Sequence, residues 1–256
     1  MRIFGLLGRS LRHSFSQAYF TQKFQALGLT DCRYELFELA APTELPQLLA
    51  RHPDLAGLNV TVPYKEQFWP YLTRLAPSAG RVGAVNVIAI EGNGNLVGHN
   101  TDYVGFQESL RPFYPQQAIA SARALVLGTG GAAKAVCVAL EELGIAYSLV
   151  SRTAGTAPLT YAQLTPAVMA AHQLLINTTP LGTYPNVEEC PPLPYEQLTP
   201  AHYLYDLVYN PAETLFLRRG AAMGARTKNG LEMLQLQAEA AWAIWNAAGS
   251  SASLAA

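Results

Sequence analysis

The chain has 256 residues, half of them apolar and only 14% charged, with a formal net charge of -1. That length supports one large or two modest domains with a substantial buried core, and the charge balance excludes the basic footprint of a nucleic-acid binder. The three cysteines, Cys32, Cys137 and Cys190, are widely separated and odd in number, which argues against a disulfide framework and a zinc or other metal site and for a reducing compartment.

The first residues, MRIFGLLGRSLRHSF, lack a signal-peptide pattern, and no uninterrupted apolar run of about 18 residues follows. A soluble cytoplasmic protein without a membrane partner is expected. Residues 2–7 read as a strand, and residues 15–28 as a helix with Ala18, Phe20, Phe24 and Leu27 on one side and Gly28 as its stop. RYELFEL (33–39) is a second strand, PTELPQLLARH (42–52) a short helix and GLNVTV (57–62) a third strand. In that strand Val60 and Val62 alternate with Asn59 and Thr61, as for one apolar face, until Pro63 ends the ladder. Lys65 follows two residues later. Taken alone it is an ordinary solvated lysine or a cation held over a cleft. Residues 65–72 would open another helix, and 84–100 read as a hairpin with Asn93-Gly94 in its turn.

A second unit begins after residues 110–122, a stretch with two prolines and little periodicity. RALVLG (123–128) is the apolar run of a strand buried on both faces, followed by a glycine cluster, a helical pattern over 132–143 and the strand AYSLVSR (146–152), which together make a βαβ unit. QLLINTT (173–179), YLYDLV (203–208) and ARTKN (225–229) read as further strands. Residues 230–248 form a long amphipathic helix, with residues 249–256 as a frayed tail. Alternation of strands and helices predicts α/β architecture: two α/β domains, the first with a mixed, mainly parallel sheet, the second Rossmann-like, with a cleft between them.

LGTGGAAKA places Gly128, Gly130 and Gly131 between a buried strand and a helix, with Ala133 at the last position of the GxGxxG/A fingerprint. Such a turn brings bare backbone and free N–H groups at a helix end to a pyrophosphate. The alternative is a merely tight βα turn. The next strand ends Ser151-Arg152-Thr153 rather than in the carboxylate that grips a ribose 2′-hydroxyl, so a 2′-phosphate is expected there, with Arg152 as its partner and hydroxyl donors from Ser151 and Thr153. Arg152 as a plain surface residue is the alternative.

Nine blocks, SFS (14–16), NVTVPYK (59–65), AVN (84–86), NTD (100–102), GTGGA (128–132), SRT (151–153), NTTPLG (177–182), DLVYNP (206–211) and NGLEMLQLQ (229–237), occur in order and approximate spacing as in shikimate dehydrogenases, and the chain resembles that family over nearly its whole length. The resemblance implies reversible reduction of 3-dehydroshikimate to shikimate by NADPH in aromatic amino-acid biosynthesis, with residues 1–102 and 231–256 as the substrate domain and 103–230 as the NADP domain. Lys65 matches the catalytic lysine and Asp102 its partner carboxylate; read alone, Asp102 would be a helix N-cap. Ser14 and Ser16 would hold the substrate carboxylate with Tyr209 nearby, and Asn59, Thr61, Asn86, Asp102 and Gln237 its hydroxyls. Read separately, Ser14 or Ser16 is the cap of the first helix, Asn86 a turn residue and Gln237 an exposed helix position. Cofactor positions by the same match are Gly128, Thr129, Gly130, Gly131, Ala132, Ser151, Arg152, Thr153, Asn177, Thr178, Leu207 and Gly230.

The family commonly has Asn-Arg-Thr followed three positions on by a second cation, whereas here Ser151 and Thr156 stand at those places. NADP is therefore expected with a reduced margin over NAD. Quinate-accepting members often carry threonine at the second serine of the SFS block, so Ser16 favours shikimate over quinate. A non-catalytic NADP-dependent regulator on the same scaffold would need neither Lys65 nor Asp102. The family contains both monomers and homodimers.

Overall fold

The computed structural model describes residues 1–11 and 14–253, and its Cα packing divides the chain into two compact units, Met1–Thr101 with Ala238–Ala256, and Asp102–Gln237. In the first unit the elements are β1 (Arg2–Gly8), α1 (Phe15–Ala26), β2 (Cys32–Glu38), α2 (Leu45–Arg51), β3 (Leu55–Val60), β4 (Arg74–Leu75), α3 (Pro77–Val82), β5 (Val87–Ile90) and β6 (Leu96–His99). The sheet order is β2-β1-β3-β5-β6-β4. β1 is parallel to both β2 and β3, β4 is parallel to β6, and β5 is antiparallel to β3 and β6, so the sheet is mixed and mainly parallel as expected. Its central strands are covered on both faces, and successive side chains of a strand point to opposite faces. In β1, Phe4 and Leu6 join the aromatic core with Phe20, Phe24, Tyr34 and Trp245, while Ile3 and Leu7 join the core with Leu45, Leu58 and Phe68.

The second unit comprises α4 (Asp102–Leu110), β7 (Arg123–Leu127), α5 (Gly131–Leu143), β8 (Ala146–Ser151), β9 (Leu159–Thr160), α6 (Pro166–Ala171), β10 (Leu174–Asn177), β11 (Tyr203–Asp206), α7 (Leu215–Ala222), β12 (Arg226–Lys228) and the start of α8 (Leu231–Ser253). Every strand pair is parallel, in the order β12-β11-β10-β7-β8-β9. This is a doubly wound sheet whose order reverses between β7 and β10. Ala124 and Val126 face one core and Leu125 and Leu127 the other, which accounts for the unbroken apolar run in the sequence.

Several local expectations are corrected. Residues 65–72 form two 3-10 turns, Tyr64–Glu66 and Trp69–Tyr71, instead of a helix, because a proline at 70 cannot continue a helical ladder from the residues before it. β3 stops at Val60, and Val62 is 72% exposed while Asn59 is buried, so the valine alternation does not mark the core face. On α1 the buried residues are Phe20 and Phe24; Ala18 lies on the opposite side of the helical wheel and Leu27 is the exposed C-cap. Asp102 is the first residue of α4 rather than its cap, a place where a carboxylate still favours the positive helix end. By Cα packing α8 divides between Gln237 and Ala238, and its first turns pack on α4, where a Cβ on Gly105 would stand 2.6 Å from Met233 O. α8 extends to Ser253, and the rest of the tail expected to fray lies outside the described residues.

Candidate active site

In the first unit the predicted substrate residues gather along one edge of the sheet. β1 and β3 end there, β6 runs in the same direction, and β5, being antiparallel, begins there. Ser14 follows β1 as the N-cap of α1; its Oγ accepts the Ser16 amide at 3.2 Å and keeps its own proton to donate. Thr61, just past β3, donates its amide to Leu7 O at 2.9 Å. Asn86 stands immediately before β5, and its side chain accepts the Thr101 amide at 2.7 Å while its carbonyl accepts the Val60 amide at 2.8 Å. Asn59 and Asn86 are 5% and 3% exposed, so Asn86 is not the surface turn residue it resembles in isolation.

Lys65 sits half-buried in the 3-10 turn after the cis Val62–Pro63 peptide, and its carbonyl accepts the Val85 amide at 2.7 Å. That bond ties the lysine's backbone to the segment carrying Asn86. The tyrosine before it, Tyr64, is fully buried and donates to Leu39 O at 2.6 Å. The turn is thus anchored on both sides of Lys65.

In the second unit the ligand crevice of a doubly wound sheet lies beyond the strand ends at the point of order reversal, here between the loops after β7 and β10. Gly128 has φ +115, and an added Cβ would stand 2.7 Å from Thr178 Oγ1. Thr178 in turn donates its amide and hydroxyl to Leu127 O at 3.0 and 2.7 Å, locking the two loops together. Gly130, the N-cap of α5, is different. Its φ of -80 suits any residue, it has no side-chain cap, and a Cβ there would meet nothing within 4 Å. Free N–H groups at an uncapped helix end with open space before them suit an anion. Thr129 and Gly130 are exposed and Gly131 and Ala132 half-buried, while Ala133, at the fingerprint's last position, packs in the core at 1% exposure.

At the end of β8 the Arg152 and Thr153 side chains are exposed. Ser151 Oγ accepts the Thr153 amide at 3.1 Å, and Thr156 Oγ1 lies 2.6 Å from both Ser151 Oγ and Thr153 O. The hydroxyl at the place of a second cation is therefore engaged by its own loop. Leu207 and Gly230 pack together: a Cβ on Gly230 would stand 2.1 Å from Leu207 O. The Asn177 side chain is fully buried and points inward; its Oδ1 accepts the Thr179 amide and hydroxyl at 3.0 and 2.6 Å. Asp102 and Gln237 are buried at 8% and 9% exposure, with Gln237 Nε2 donating to Leu234 O at 2.9 Å. Tyr209 is half-buried, and burial raises its phenol pKa.

Sequence reasoning passed over two residues. Tyr34 of β2 donates its hydroxyl to Asn59 Oδ1 at 2.7 Å. Asp206, fully buried at the end of β11, accepts Asn177 Nδ2 at 2.9 Å, the Val208 amide at 3.0 Å and Thr214 Oγ1 at 2.5 Å. Burial pushes its carboxyl up to about 6 against the three hydrogen bonds, which pull it down. A carboxylate inside the apolar run YLYDLV was the available signal for Asp206. Among the described residues no group of three or more His, Cys, Asp or Glu side chains could hold a metal ion, and no helix is long and apolar enough to cross a membrane.

A glycine turn at the reversal point of a wholly parallel sheet defines the second unit as a dinucleotide-binding module of the doubly wound class. Residues 6–88 match the family model for the shikimate dehydrogenase substrate binding domain. A curated shikimate dehydrogenase (NADP(+)) from Moorella thermoacetica is 41% identical over 94% of this chain and 86% of its own length. Among solved structures, shikimate 5-dehydrogenase from Thermus thermophilus in complex with NADP(H) and shikimate is 32% identical with a TM-score of 0.85, covering 96% of this chain and 94% of that one. Quinate dehydrogenase from Corynebacterium glutamicum in complex with NAD superposes with the same score at 26% identity, covering 96% and 94%. The chain belongs to the shikimate dehydrogenase family.

Proposed function

We propose that this chain catalyses the reversible, NADPH-dependent reduction of 3-dehydroshikimate to shikimate, in the pathway to chorismate and the aromatic amino acids, and that it does so in the cytoplasm. The observation that carries the reading is the uncapped, unobstructed end of α5 at Gly130 in a chain whose other unit lines a sheet edge with neutral hydrogen-bonding side chains and a lysine. A polyhydroxylated acid calls for such neutral donors and acceptors. In this reading residues 1–102 with 231–256 bind the substrate and 103–230 the cofactor.

Bound NADPH supplies the hydride. The residues fit it: the α5 end and the turn from Gly128 to Ala132 take the pyrophosphate, Arg152 with Ser151 and Thr153 the 2′-phosphate, and Thr178, Leu207 and Gly230 border the rest, with Asn177 holding its loop. Ser14 and Ser16, with Tyr209, take the substrate carboxylate. Asn59, Thr61, Asn86 and Gln237 take hydroxyls. Lys65 and Asp102 carry the acid–base step: a ketone oxygen that becomes an alkoxide needs a nearby cation and proton donor, and a lysine supplies both. Ser16 favours shikimate over quinate.

The test is turnover of purified protein with shikimate and NADP, followed by the absorbance of reduced nicotinamide and repeated with quinate and with NAD. Faster turnover of shikimate with NADP is expected. No turnover of shikimate, or faster turnover of quinate, would overturn the reading.

A further inference from the structure

Tyr34 and Asn59 lie on strands separated by β1. In register Tyr34 is level with Phe4 and Phe4 with Gly57, so Asn59 stands two residues further along the same face and the tyrosine crosses β1 diagonally to reach it. Its ring is held by stacking on Phe20 of α1 at 4.6 Å and 9°. The direction of each hydrogen bond follows from chemistry. The Asn86 carbonyl can only accept, so the nitrogen of the Asn59 carboxamide faces it, at 3.4 Å, and the oxygen faces Tyr34. An amide oxygen also can only accept, so the phenol proton lies on Asn59. Burial holds the phenol far above its ordinary range, so it stays protonated. One Nδ2 proton of Asn59 is given to Asn86 O. The other has no partner among the described residues, although Asn59 is only 5% exposed.

We propose that Tyr34 is a positioning residue for the substrate: by occupying the oxygen of Asn59 it makes that buried carboxamide a donor only, and so selects a ligand whose oxygen at this point accepts a hydrogen bond. Without the phenol, the carboxamide oxygen is a buried acceptor without a partner and the group is free to turn. The proposal rests on the assignment of this sheet edge to the substrate.

Tyr34→Phe removes one oxygen and leaves the ring stack on Phe20 in place. Loss of one oriented hydrogen bond should raise KM for shikimate about fivefold to tenfold, while kcat and KM for NADP change by less than about twofold. In an Asn59→Ala background, itself weakened for shikimate, the same substitution should add less than about twofold, because a residue acting through another loses its effect when that residue is gone. An unchanged KM in Tyr34→Phe, equal factors in both backgrounds, or a parallel rise in KM for NADP would overturn the proposal while wild-type turnover stands. Absence of shikimate turnover in the wild type would overturn the underlying assignment instead.

Discussion

The side-chain amide of Asn177 donates to Oδ1 of Asp206 at 2.9 Å, joining the ends of the neighbouring parallel strands β10 and β11. With Val208 N and Thr214 Oγ1 on the same carboxylate, one buried charge gathers the loop after β10, the loop after β11 and the cap of α7. Its carboxyl is raised from 3.8 to about 6, chiefly by burial. The folded chain therefore holds this proton more tightly than the unfolded chain. Its stabilising contribution is fully present below about pH 4 and is lost as pH rises through about 6, on the order of 3 kcal/mol at roughly 1.4 kcal/mol per pH unit. In Asp206→Asn that component is absent. The stability of the native chain relative to the variant should rise as pH falls from about 6 to 4, read from denaturant unfolding at each pH. Parallel pH profiles would contradict this.

The two glycines of the α5 turn should separate fold from ligand. Gly128→Ala forces a Cβ into a positive φ and against Thr178, and should lower stability by about 1–3 kcal/mol. Gly130→Ala meets ordinary φ and open space, so stability should change by less than about 1 kcal/mol. Its NADP dissociation constant should nevertheless rise about tenfold or more, as a methyl group takes the place of an oxyanion at the helix end. Unfolding curves and NADP titrations of both variants make the comparison, and unchanged NADP affinity in Gly130→Ala would remove the phosphate from that position.

Arg152 is exposed, while the Thr156 hydroxyl is engaged by Thr153 O of its own loop. Arg152→Ala should therefore raise KM for NADPH about tenfold or more, the loss of a charge-assisted bond, and leave KM for NADH nearly unchanged. Equal effects on the two cofactors would show that the arginine does not read the phosphate.

Lys65→Ala should lower kcat by about 10²–10⁴, the usual weight of a positioned proton donor, with little change in KM for shikimate. Turnover that survives the substitution would shift the proton to another group.

The sequence by itself was enough to recognise the parallel strands from their apolar runs, the βαβ turn from its glycines, and the family from nine blocks in register, since these depend on residues close together in the chain. Short elements were less legible. A proline at 70 was enough to break the expected helix after Lys65, and Asn59, buried beside Leu58 and Val60, showed that a strand covered on both faces carries no reliable alternation. Tertiary structure decided what Tyr34, Asn177 and Asp206 do. Tyr34 reaches Asn59 only because β1 is inserted between β2 and β3, and Asp206 meets Asn177 and Thr214 only because β10 and β11 end side by side. A motif records which residue is present at a position. The direction in which a buried carboxamide or carboxylate is used depends on acceptors and donors brought from elsewhere in the chain, because a buried polar group must be satisfied by whatever the fold sets beside it.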